Sequence, residues 1–188
     1  MNFEILEKFD WYNDPENVRF EDDGMCVYAK SNTDFWQSLH RGYRKDDGHL
    51  FFCREKGDFE VVLKWSFEKK QEFLQCGVMV RIDERNWCKG GIEKETSDNR
   101  VLFSSFTKEG HSNWARGNDL GDIDEVWFKV VRVQNEYSMF YSLDGNSFIK
   151  FAMFYMENFE DIKVGGYICS LGDEEVVAKV SGMEVIEC

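Results

Sequence analysis

The chain has 188 residues, and its 23 Lys and Arg against 36 Asp and Glu give a formal charge of -13. Such a field repels nucleic acid and anionic membrane surfaces, so neither is an expected partner and a neutral or basic ligand fits better. Hydrophobic residues make up 43% and aromatics 16%, with 17 Phe, 6 Trp and a single Pro, which is enough for a sizeable core and favours strands over helices.

No Pro-, Gly- or Ser-rich stretch divides the sequence, and it reads as one domain over residues 1–188. The start MNFEILEKFD has neither the basic nor the apolar region of a secretion signal, and no run approaches the roughly 18 apolar residues of a membrane span. Six cysteines (Cys26, Cys53, Cys76, Cys88, Cys169 and Cys188) include no C-x-x-C pair and no His at zinc-ligand spacing. A reduced, cytoplasmic setting is therefore expected, with neither metal nor cofactor.

From residue 25 onward the pattern is strand after strand, 6–10 residues each, bounded by polar or Gly turns. Met25–Lys30, His49–Arg54, Phe59–Phe67, Phe73–Ile82, Trp87–Lys94 and Arg100–Phe106 come first. Glu125–Val133, Tyr137–Leu143, Phe148–Phe154, Ile162–Cys169 and Val176–Val185 follow, and no window carries a helical stripe. The spacing predicts an all-β antiparallel sandwich. Asp144-Gly145 supplies the turn of one hairpin, and the pairs Gly90-Gly91 and Gly165-Gly166 predict either a bulge or a close backbone approach.

Two alternating runs carry the chemistry. Cys76, Val78, Val80 and Ile82 share one face of the first, and Gln75, Gly77, Met79 and Arg81 the other; Cys88, Gly90 and Ile92 likewise oppose Trp87, Lys89, Gly91 and Glu93. Asp83–Asn86 is short and polar enough for a hairpin loop, so Gln75, Arg81, Trp87, Lys89 and Glu93 should converge on one patch. Arg81 offers a fork of donors, Lys89 a point charge, Glu93 an acceptor and Gln75 both, a mixture that suits a polyol or a carboxylated sugar and predicts a neutral or weakly anionic ligand. Trp87, Trp36 and Trp114 are the candidate stacking surfaces for a sugar ring.

Hydrolysis needs two carboxylates about 5–9.5 Å apart, and Glu93 with Glu95 on one strand is permissive without being indicative. His111, Ser112 and Asp119 are not spaced as a nucleophile triad. Asp119, Asp122 and Asp124 lack the spacing of a calcium loop and read as an acidic turn.

With these motifs in order, the chain resembles the concanavalin A-like family of unknown function that includes the fungal regulators of enolase. The residues that carry the resemblance are Thr33-Asp-Phe-Trp-Gln37 with His40 and Tyr43, Gly57-Asp-Phe-Glu60, Gln75-x-Gly-x-Met-Val-Arg81, Trp87-x-Lys-x-Gly-Ile-Glu93, Ser112-x-Trp114 and Ser142-x-Asp-Gly. The family pattern has Asp before the glutamine and Ala after it, where this chain has Leu74 and Cys76; it has Ala where this chain has Gly90. The resemblance implies a two-sheet jelly roll with a concave face, and it marks His40 and Tyr43 as rim residues.

The reading is carbohydrate or carbohydrate-derived metabolite binding on that face without turnover, with Glu93 the candidate if a glycoside hydrolase or lyase reaction occurs. A second alternative, implied by the resemblance, is a protein-interaction role in regulating a metabolic enzyme. Oligomeric state stays open.

Overall fold

Alternation decides which side chains each strand buries, and in a sandwich the two inner faces share one core. The computed structural model describes residues 9–37, 42–94, 99–157 and 161–187, and these residues form strands without any helix. In chain order they are β1 (Asp10–Tyr12), β2 (Asn17–Glu21), β3 (Gly24–Ala29), β4 (Phe35–Gln37), β5 (Arg44–Asp46), β6 (His49–Glu55), β7 (Phe59–Phe67) and β8 (Leu74–Asp83). Then follow β9 (Asn86–Glu93), β10 (Val101–Lys108), β11 (His111–Asp119), β12 (Glu125–Val133), β13 (Glu136–Ser142), β14 (Ile149–Tyr155), β15 (Ile162–Ser170) and β16 (Val176–Glu187).

One seven-stranded sheet runs β1-β6-β15-β8-β9-β10-β11, the other β14-β13-β12-β7-β16-β3-β2, and β4 pairs with β5 alone. Every pairing is antiparallel. The predicted all-β sandwich is the fold found. All eleven expected strands appear, each end within two residues of its expected place, and Phe59–Phe67 and Glu125–Val133 coincide. The short or exposed strands β1, β2, β4, β5 and β11 are the additions.

Between the sheets lies the main core, which includes Val61, Leu63 and Trp65 of β7, Val78 and Val80 of β8, and Val126, Phe128 and Val130 of β12. β7 and β12 bury one face only, alternating buried with half-buried residues. β8 and β9 differ: nearly every residue is buried, on both faces. A second apolar cluster explains why. On the far side of the first sheet, Phe35, Leu50, Phe52, Met79, Trp87, Phe103, Tyr167 and Cys169 pack together, and Phe35 comes from β4. Segments 31–37 and 42–48, which carry β4 and β5 and form a strap, lie over the concave face.

Backbone bonds from Asn32 and Thr33 N–H to Gly172 and Ser170 carbonyls, each 2.8 Å, hold one end of the strap, and Asn13 Nδ2 donates to the Asp46 and Gly48 carbonyls at the other. Phe35, fully buried, meets the Tyr167 ring edge-on at 6.4 Å. Burying a ring of that size contributes about 2–3 kcal/mol.

The paired glycines mark close backbone approach, not bulges. Gly77 stands opposite Gly91 in unbroken register, and a Cβ on Gly77 would fall 2.1 Å from the Gly90 carbonyl. One on Gly91 would fall 2.3 Å from the Cys76 carbonyl and 2.6 Å from the Tyr167 hydroxyl, because Tyr167 pairs with Gly77 and its ring reaches across to Gly91. At the Asp144-Gly145 hairpin, Gly145 has φ 73, and Asp144 Oδ1 accepts from the Asn146 and Ser147 N–H groups and from Ser142 Oγ, which holds the carboxyl far below its ordinary pKa. Gly91→Ala is expected to lower unfolding free energy in urea by about 1–3 kcal/mol, since the β8–β9 pair and the Tyr167 ring cannot both make room.

Candidate functional site

The register of β8 and β9 sets Gln75 beside Glu93, Gly77 beside Gly91, Met79 beside Lys89 and Arg81 beside Trp87, all on the concave side. The expected hairpin is therefore formed, and the five polar and aromatic candidates share one face. They do not form one patch, however. They divide into two groups on either side of the Phe35 cluster.

The first group centres on Lys89, which is 1% exposed. Its Nζ donates to Gln75 Oε1 at 2.7 Å and to Asp34 Oδ1 of the strap at 3.0 Å, and it lies 5.4–5.8 Å from the ring centroids of Trp87, Phe103 and Tyr167. An ammonium removed from water needs a counter-charge and full hydrogen bonding, and the rings add a favourable field from their faces. Because Lys89 can only donate, it fixes the Gln75 amide with oxygen inward, so that Nε2 donates to Glu93 Oε2 at 3.2 Å. Asp34 Oδ1 also accepts from the Phe35 N–H at 2.7 Å.

Above this line of four side chains opens a pocket of about 350 Å³, walled by Trp36, Trp114 and Leu171. Trp114, on the edge strand β11, is 42% exposed and stacks on Phe103 with centroids 6.5 Å apart. Trp36, on β4, is half-buried. Beneath the floor, the Tyr167 hydroxyl is buried without a hydrogen-bond partner among the described residues. Burial, ahead of the nearby Cys169, Cys76, Glu93 and Asp34, pushes its pKa well up.

The second group centres on Arg81, 2% exposed, whose Nη1 and Nη2 each donate to an Asp46 oxygen at 2.8 Å. Tyr12 Oη donates to Asp46 Oδ2 at 2.6 Å, and the guanidinium lies 4.1 Å from the Tyr12 ring centroid and 5.6 Å from that of Phe35. Burial, then that hydrogen bond, raises the Tyr12 pKa to about 12. Both terminal nitrogens of Arg81 are thus turned to the strap. Its expected place in a ligand floor is corrected accordingly: it pins the strap.

Trp87 is corrected as a stacking surface. Fully buried in the second apolar cluster beneath the strap, it has no face for a ring to reach. Tyr43 is 49% exposed on the strap; burial first, then Asp34 and Asp47, raises its pKa. His40 lies outside the described residues, as does Glu95. Ser112 Oγ accepts from the Gln37 N–H at 2.8 Å and lies 2.5 Å from Thr107 Oγ1, so it ties β4 to the sheet. Asp119 accepts from Asn99 Nδ2 and the Gly121 N–H, and Asp122 pairs with Lys69.

Leu74 is fully buried in the inter-sheet core, so the family's carboxylate position does not face this pocket. Asp34 and Asp46 were missed as site residues. Asp34 stood inside the Thr33–Gln37 motif, but nothing local in the sequence ties it to Lys89, 55 positions away.

The sequence pattern of the family described as "Protein of unknown function (DUF1349)" matches residues 11–188. The chain belongs to that family. Regulation of enolase protein 1 of Saccharomyces cerevisiae is 30% identical over 126 residues, 67% of this chain and 63% of its own length, so the chain spans less than two thirds of that relative. A solved Saccharomyces cerevisiae protein described as functionally unknown superposes with TM-score 0.89 at 23% identity, covering 97% of this chain and 98% of the other.

Two further likenesses are of fold alone. A GH43 protein of Bacillus licheniformis gives TM-score 0.72 at 12% identity, over 95% of this chain but 36% of its own. An alginate lyase of Klebsiella pneumoniae gives 0.60 at 8%, over 94% and 86%. The two-sheet sandwich implied by the resemblance is the fold seen here, and the relative from Saccharomyces cerevisiae is one named for regulation of enolase.

Arg81→Met should cost about 2–3 kcal/mol in denaturant unfolding. That is less than for a fully buried pair, because Asp46 keeps 20% of its side chain in solvent.

Proposed function

We propose that this DUF1349 chain binds a small carbohydrate or carbohydrate-derived metabolite in the Trp36–Trp114 pocket and does not turn it over. The observation that carries the reading is the joining of two partly open indoles to a polar floor in one pocket: Gln75, Lys89 and Glu93 below, Trp36 and Trp114 at the sides. Sugar C–H faces pack on indoles, while adjacent hydroxyls both donate and accept, which is what a floor of carboxylate, amide and ammonium groups answers. Of the pocket's two carboxylates, Asp34 is held by Lys89 and the Phe35 N–H, which favours binding over the acid–base pair a hydrolase or lyase reaction through Glu93 would need.

A protein-interaction role is the second reading, favoured by the relative named for enolase regulation. The absence of a long apolar helix among the described residues, and the acidic charge, are compatible with either.

The test is a sugar-binding screen by calorimetry on wild type and Trp114→Ala, with reducing ends measured in the same samples. Trp114 is 42% exposed on an edge strand, so its truncation should lower unfolding free energy by only about 1 kcal/mol while weakening binding about tenfold, and no reducing ends should appear. Release of reducing ends that disappears in Glu93→Gln would replace binding by catalysis. No sugar bound, together with altered enolase activity when this chain is added, would favour the second reading.

A further inference from the structure

We infer that the ligand of this pocket carries a protonated amino group, so that the site prefers an amino sugar to a neutral sugar and rejects a sugar acid. The inference rests on the carbohydrate reading above and narrows it.

The charges on the lining come first. Among the described residues the pocket is lined by one cation, Lys89, and two carboxylates, Asp34 and Glu93. The cation is the one that a ligand meets least: the Lys89 side chain is 2% exposed and its ammonium is turned to Asp34 and Gln75, inside three rings. Asp34 exposes 14% of its side chain. A ligand entering the mouth therefore meets carboxylate before ammonium, in a chain whose formal charge is already -13.

The walls point the same way. Trp36 and Trp114 bound the opening, and an indole face attracts a cation and repels an anion. A carboxylated sugar would set its charge against Asp34 and two ring faces at once; an ammonium group finds all three favourable.

Cation–π attraction at partly desolvated sites, about 1–2 kcal/mol, corresponds to a preference of about tenfold. The experiment is calorimetric titration of the purified full chain at low salt with glucosamine, N-acetylglucosamine, glucose, glucuronate and tetramethylammonium. N-acetylglucosamine keeps the nitrogen and removes its charge, and tetramethylammonium keeps a charge without a sugar. The expected order has glucosamine about tenfold tighter than N-acetylglucosamine and glucose, with glucuronate weakest, and the ratio shrinking as salt is raised. In Glu93→Gln the ratio should fall toward unity.

Equal affinity across the sugars, or glucuronate tightest, would overturn the amino preference and leave the carbohydrate reading standing. Tetramethylammonium bound as tightly as glucosamine would overturn it too, since the sugar would then contribute nothing. No binding by any sugar would overturn both.

Discussion

Burying an ammonium and a guanidinium on one face of a sheet costs several kcal/mol each unless a counter-charge is held against them. In this sandwich both counter-charges arrive on the same piece of chain. Asp34 meets Lys89 and Asp46 meets Arg81, and the residues between them carry Phe35 into the apolar cluster that separates the two cations. The strap, the second core and the pocket are consequences of that arrangement: remove the strap and two buried cations lose their partners together.

The same face explains the glycines. Tyr167 packs edge-on against Phe35 and reaches Gly91 with its hydroxyl, where a Cβ would collide with it, while a Cβ on Gly77 would strike the Gly90 carbonyl of the neighbouring strand. A large aromatic side chain and two absent ones thus form a single packing unit. Lys89 sits at its margin, where three ring faces help to hold the charge. Hydrophobic and ionic terms are therefore not separable on this side of the sheet.

What could be read from the chain follows the range of the forces. Strands such as Phe59–Phe67, whose inward and outward residues face different surroundings, announce themselves by alternation, and their ends were legible. β11 was not, because an edge strand with eight of nine residues exposed or nearly so has no apolar period to read. β4 and β5 were too short to show one.

At the site, the facing of Gln75, Lys89 and Glu93 was legible from period two. The burial of Trp87 was not, since its cover, Phe35, comes from 52 positions earlier in the chain and from outside the sheet. The division between the Lys89 and Arg81 groups has the same cause: the side chains share a face, but a remote segment parts them.

The strap also fixes how an elongated molecule could approach. On an uncovered concave sheet a polymer can lie along the groove, entering at one rim and leaving at the other. Here Phe35 fills the middle and Trp36 stands at the border of the remaining space. Were the pocket to take a glycan, as proposed, the described residues would leave the chain no through-route, so a terminus could enter one residue deep while internal units of a long polymer stayed out of reach.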